Sequence, residues 1–215
     1  KDNELIDRIA YTKAVSYHLN NPGLAKWRSD MWYMDDTALE FARYEPTTGH
    51  RPEAENEIIA DTKTLEALGV PAEIGATVTL NYEIKGKEYT TDFELCGFWE
   101  TDSLSNIGRI IVSKAFIDNH ADLLTYTYPV DNDYSGVVTA YIMFRGGGSV
   151  EEKLQQLLTE TGYTCDTLGG QPTDENYIIA RVSPAYQSSP ISENPALFIV
   201  GIVGILTIMA TGYLI

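Results

Sequence analysis

The last 21 residues, PALFIVGIVGILTIMATGYLI from Pro195 to Ile215, contain no charged side chain. At about 1.5 Å of helical rise per residue the run is roughly 32 Å long, close to the ~30 Å of a bilayer's hydrocarbon core. An all-round apolar helix can also be the central helix of a soluble domain. This run exceeds the length of about 18 uncharged residues at which a membrane span is the better reading, and its strongest polar group is a threonine. Asn194 suits the cap of such a helix, and Pro195 its first turn, where no backbone donor is needed. Gly201, Gly204, Thr207 and Thr211 recur at three- and four-residue intervals and are candidates for a close packing face against a second span. The flank before the helix carries no Lys or Arg after Arg181. Cytoplasmic flanks collect those residues, so the expectation is a cell-membrane protein with residues 1–193 extracytoplasmic.

The remainder is strongly acidic. The whole chain has 31 Asp and Glu against 15 Lys and Arg, a formal charge of −16, and none of that charge lies beyond Asn194. Such a surface repels phosphate backbones, which disfavours nucleic acid as a partner. The chain opens on Lys1 without an initiator Met or a signal-like apolar stretch, so it reads as an excerpt of a longer protein. Of the two cysteines, Cys96 lies in the strand-like FELCGFW, where a small buried hydrophobe is expected. Two separate thiols are favoured over a Cys96–Cys165 bridge.

Local pattern gives the elements. A short helical end, ELIDR, is expected to precede two strands, IAYTKAVSYHL and LAKWRSDMWYM, separated by the turn NNPG. A short helix is expected around TALEFARY. EIIA reads as a strand, and Asp61 caps a helix that Gly69 and Pro71 stop, with Leu65 and Leu68 facing inward. Val78, Leu80, Tyr82 and Ile84 alternate with polar residues, and Tyr89, Thr91, Phe93 and Leu95 do the same after Lys85-Gly86-Lys87, so the segment is a hairpin with one buried face. RIIVSKAFIDNH continues as a strand into a helix capped by Ser113. The strand GVVTAYIMF, a helix opened by the capping box Ser149 and Glu152, and the strand NYIIARV follow. Val150, Leu154, Leu157 and Leu158 form that helix's apolar stripe.

Catalytic and cofactor motifs are not recognised. His18, His50 and His120 are far apart with no metal-like spacing, and no HExxH, CxxC or GxSxG occurs. DNDYSG (131–136) resembles the start of a calcium loop but places Ile142 where a bidentate Glu is required. GGGS (146–149) lacks the lysine and hydroxyl of a phosphate loop and reads as a flexible connection. No carboxylate pair stands out as acid and base. The expectation is therefore no enzyme activity, no catalytic residues, no metal and no cofactor.

One ordered set of residues goes further: Gly49 with Arg51-Pro52, Asn56-Glu57-Ile58, Ile74-Gly75 leading into Thr77–Leu80, then Phe93 and Gly97. In this order, with a βαβ-like unit and an apolar helix following, the chain resembles the extracytoplasmic core domain of ABC transporter permeases of the MacB and FtsX type. The resemblance implies an α+β ectodomain of two parts. Residues 1–34 and 136–185 would form an α+β subdomain and 35–135 a β-rich insertion, with 186–194 a linker and 195–215 the start of the membrane domain. It also implies a permease subunit that couples ATP-driven motion of its spans to an extracytoplasmic substrate or partner, as in export, lipoprotein release or antimicrobial-peptide resistance. Implied partners are a cytoplasmic ATP-binding subunit, a second permease copy or homologue, an extracytoplasmic substrate or adaptor protein, and the membrane. The alternative within the same resemblance is a sensory or regulatory module that binds its ligand without transporting it.

Overall fold

The computed structural model describes residues 3–101, 107–125 and 134–161, and the short strands at 164–165 and 177–178. The 195–215 segment, with Gly201, Gly204, Thr207 and Thr211, and the 186–194 linker lie outside the described residues. No helix among the described residues is long and apolar enough to cross a membrane.

The chain forms two compact units, 1–143 and 144–215. In the first, the strands are β1 (Ile6–Ser16), β2 (His18–Leu19), β3 (Ser29–Met34), β4 (Thr48–Gly49), β5 (Glu57–Asp61), β6 (Thr77–Ile84), β7 (Lys87–Trp99), β8 (Gly108–Val112) and β9 (Val138–Phe144). They make one sheet in the order β2-β6-β7-β5-β8-β3-β1-β9, with β4 pairing β7 off that path. Among the described residues three α-helices accompany it, α1 (Asp36–Ala42), α2 (Thr62–Leu68) and α3 (Lys114–Asn119), and Pro22–Ala25 form a 3-10 turn, so the strand expected from Leu24 begins only at Ser29. The α+β class expected from the sequence is the class observed.

Each helix begins where a short polar side chain can take an orphan backbone donor. Asp35 accepts from the Ala38 amide, Asp61 from Thr64 and Ser113 from Phe116. Gly69 ends α2 in the left-handed region at φ 72°, which glycine adopts without a Cβ penalty. Strand alternation then sends side chains to two faces. Ile58, Ala60, Val78, Leu80, Ile84, Phe93, Leu95, Ile110 and Val112 pack on one face with Leu65 of α2 and Phe116 of α3. Ile59, Cys96, Trp99 and Ile111 pack on the other with Leu39 of α1. Both faces of the central strands are thus covered, which is why Ile58–Ala60 of β5 and Ile110–Val112 of β8 are consecutive apolar residues.

The β6–β7 hairpin pairs from Thr77↔Glu94 to Ile84↔Lys87. Lys85 and Gly86 have φ of 52° and 74°, the positive pair that a two-residue hairpin turn with the native strand twist requires. One expectation fails at the start of the chain: ELIDR is not helical. Glu4 and Leu5 form a turn and Ile6 begins β1. β1 is extended from Ile6 onward, and a five-residue segment is too short for its local helical preference to nucleate.

The second unit contains α4 (Val150–Thr161) and a parallel pair, β10 (Thr164–Cys165) with β11 (Tyr177–Ile178). Ser149 accepts from the Glu152 amide at 3.2 Å, so the expected N-cap forms. Leu157 and Leu158 are buried, as the apolar stripe requires.

Candidate functional site

The residues that carry the family resemblance meet where β4 crosses β7 beside β5. β4 lies antiparallel to β7 with Gly49 opposite Gly97, and β5 lies parallel to β7. A Cβ on Gly49 would stand 2.1 Å from the Cys96 carbonyl oxygen, and one on Gly97 would stand 2.5 Å from that of His50. Gly49 also has φ +86°. No side chain fits at either position, so both glycines are dictated by close backbone approach. Arg51 holds the loop after β4, pairing with Glu45 through two nitrogens and with Asp36 at 2.8 Å. Gly75, at φ +86°, turns the chain into β6.

The same junction gathers three side chains that spacing did not connect. Ligand-capable atoms of His50, Glu57 and Cys96 all lie within 4.8 Å of one another. Cys96 is there because the β5–β7 register slips: Ile58 faces Leu95 and Ile59 faces Gly97, leaving Cys96 as the extra residue. Such a bulge re-aims a side chain. Cys96 is 2 % exposed, and its thiol donates to the carbonyl oxygens of Ile58 at 3.3 Å and His50 at 3.5 Å. Burial, with Glu57, Glu94 and Glu53 nearby, pushes the thiol pKa up to about 12. Cys96 is a free cysteine, and as a protonated, buried thiol it is no nucleophile. Burial pushes the Glu57 carboxyl up, but the Glu53 and Ala54 amides and His50 outweigh it, so its pKa lies below its ordinary value. The two amides donate to Glu57 Oε2 at 2.8 and 2.9 Å. His50 is exposed, with Nδ1 2.8 Å from the Arg51 carbonyl oxygen.

The other two histidines stand apart from this group. His18 pairs with Glu83 in the β2–β6 ladder. His120 stacks on Phe116 with ring centres 4.3 Å apart, and its Nδ1 is 2.8 Å from the Phe116 carbonyl oxygen. His120 is half-buried in that stack, whereas His18 is exposed.

A second feature is a shallow depression of about 390 Å³ lined by Tyr17, His18, Arg28 and Tyr134. Tyr17 meets the rings of Trp32 and Tyr134 edge-on, at 5.3 and 6.1 Å. Burial first, then the Asp30 carboxylate, raises the Tyr17 phenol to about 12, so it stays protonated at neutral pH. Asp30 is buried and bridged by Arg109 at 2.9 Å and Arg28 at 3.4 Å. Neither this depression nor the junction presents a nucleophile activated by a neighbouring base.

No protein-family model and no curated protein matches the sequence. Among solved structures the chain is similar to a domain of a protein assigned as a permease from Porphyromonas gingivalis, with 14 % identity, 75 % of this chain and 71 % of that one covered, and a TM-score of 0.46. It is also similar to the periplasmic region of MacB from Actinobacillus actinomycetemcomitans, with 10 % identity, coverage of 75 % and 70 %, and a TM-score of 0.44.

Proposed function

We propose that the chain is the extracytoplasmic part of an ABC transporter permease subunit of the MacB/FtsX type, entering the membrane at Asn194. The observation that carries this reading is the coincidence of the motif with one structural junction. Gly49, Arg51, Glu57, Gly75 and Gly97, scattered in sequence, each have a steric or hydrogen-bonding task around β4, β5 and β7. The uncharged run at 195–215, without a basic residue between Arg181 and that run, supports an outward-facing body tied to a span.

On this reading the ectodomain is not an enzyme. ATP is hydrolysed by a separate cytoplasmic subunit, and the motion of the spans reaches the ectodomain through the 186–194 link. Residues 1–34 and 136–185 form one subdomain and 35–135 the other. In the sheet, β3, β1 and β9 are consecutive neighbours, and so are β6, β7, β5 and β8, while β2 pairs with β6 and β3 with β8 across the proposed boundary. The partners are the ATP-binding subunit, a second permease copy, and a substrate or adaptor outside the membrane. Gly201, Gly204, Thr207 and Thr211 supply a packing face for another span.

Inserting three flexible residues at Ser188 tests the coupling. Transport, or resistance where that is the phenotype, should fall at least about tenfold, because a mobile hinge dissipates an imposed displacement. Unchanged transport with the insertion in place overturns mechanical coupling, and ligand binding without any transport favours the sensory alternative.

A further inference from the structure

We propose that His50, Glu57 and Cys96 form a binding site for a divalent cation of the zinc class, with solvent as the remaining ligand. One sulfur, one imidazole nitrogen and one carboxylate oxygen are the donors zinc accepts, and the sulfur excludes calcium and magnesium, which take oxygen. Among the described residues this is the one group of three or more His, Cys, Asp or Glu side chains with ligand atoms this close.

The supporting hydrogen bonds are those of a prepared site. A metal-bound histidine almost always gives its other ring N–H to a carbonyl or carboxylate. Here Nδ1 lies 2.8 Å from the Arg51 carbonyl oxygen; donating there leaves Nε2 with the lone pair. Glu57 is oriented by two backbone amides on Oε2, which leaves Oε1 for the ion. Glu53 and Glu94 add negative charge near Cys96 and favour a cation.

The geometry needs little change. Ligand atoms around tetrahedral zinc stand about 3.5 Å apart, given bonds of about 2.0–2.3 Å, so the widest separation here closes by little more than about 1 Å. His50 is exposed, and a small tilt of its ring that keeps Nδ1 within hydrogen-bond reach of the Arg51 carbonyl supplies that movement. Its exposure also gives water a route to the fourth position. Binding replaces a bond to hydrogen: Cys96–SH and M²⁺ give Cys96–S–M⁺ and H⁺, the proton passing to solvent. The carbonyl oxygens of His50 and Ile58, which accept from the thiol, lose that donor when the sulfur turns to metal.

The test uses the full chain in detergent, reduced and freed of metal, titrated with Co²⁺. Thiolate-to-cobalt charge transfer reports a sulfur ligand directly and does not depend on any transport activity, so it separates this inference from the permease reading. The wild type and Cys165→Ser should both develop the band at one ion per chain, and Zn²⁺ should abolish it. Cys96→Ser should show no band. His50→Ala alters an exposed side chain, leaves the fold intact by circular dichroism, and should bind Co²⁺ at least about 10-fold more weakly, since losing even an outer-shell partner costs about that much. The proposal is overturned by a wild-type chain without the band, by a band that survives Cys96→Ser or vanishes in Cys165→Ser, or by His50→Ala binding as the wild type does.

Discussion

β6 and β9 belong to the same sheet and are both rich in apolar residues, yet they end up in opposite surroundings. Val78, Leu80 and Ile84 of β6 have no exposed surface, whereas Val138, Tyr141 and Met143 of β9 are 60 %, 53 % and 47 % exposed. β6 sits between β2 and β7, and its apolar face meets Phe93, Leu95 and Phe116. β9 is the last strand of the sheet, and its sequence, VTAYIMF, does not alternate. Burial therefore follows from alternation plus a covering layer, and apolar composition alone does not secure it.

Substitutions on either side of this contrast should separate widely. The largest effect is expected for Gly97→Val at the β4–β7 crossing, where the new side chain collides with the His50 carbonyl. Forced backbone displacement should cost on the order of 4 kcal/mol, seen as loss of the cooperative unfolding transition in denaturant. A crossing that tolerates valine would mean that the close approach of β4 is not maintained in solution.

Next comes the direct comparison of the two strands. Leu80→Ala removes a fully buried side chain and should cost about 3 kcal/mol. Met143→Ala should cost less than about 0.5 kcal/mol, as surface substitutions usually do. Equal costs in chemical denaturation would show that β9 is packed as tightly as β6.

Gly86→Ala addresses the hairpin that makes β6 what it is. Nothing lies within 4 Å of an added Cβ, but φ is +74°. The cost is then conformational only, about 1 kcal/mol, and Gly86→Asn should recover part of it. The smallest effect concerns acid stability at the junction. The Glu57 pKa is depressed in the folded chain, so its contribution is complete above the unfolded carboxylate value of about 4.3 and is lost as pH falls through the lower folded value. Glu57→Gln should remove that acid-limb dependence, by less than about 1 kcal/mol because the group is partly solvated.

Much of this fold was legible because local signals agreed. Asp61, Ser113 and Ser149 were readable as caps, and the alternation around Lys85-Gly86 fixed both the hairpin and its buried face. Two things were not legible. ELIDR is too short for its periodicity to set a helix, and its last three residues belong to β1. The meeting of His50 with Cys96 depends on β4 folding back on β7 and on a one-residue register slip beside β5. Neither leaves a mark in ligand spacing, since the two residues are 46 positions apart. The glycines did leave one: Gly49 and Gly97 were visible in the motif, although only the backbone contacts explain them.

Purifying the full-length protein in mild detergent from the cell fraction that holds it tests the permease reading most directly. An ATP-binding subunit should accompany it, with ATP hydrolysis that the three-residue insertion at Ser188 alters. A chain recovered without detergent, with no ATP-binding subunit and no associated hydrolysis, would contradict that reading.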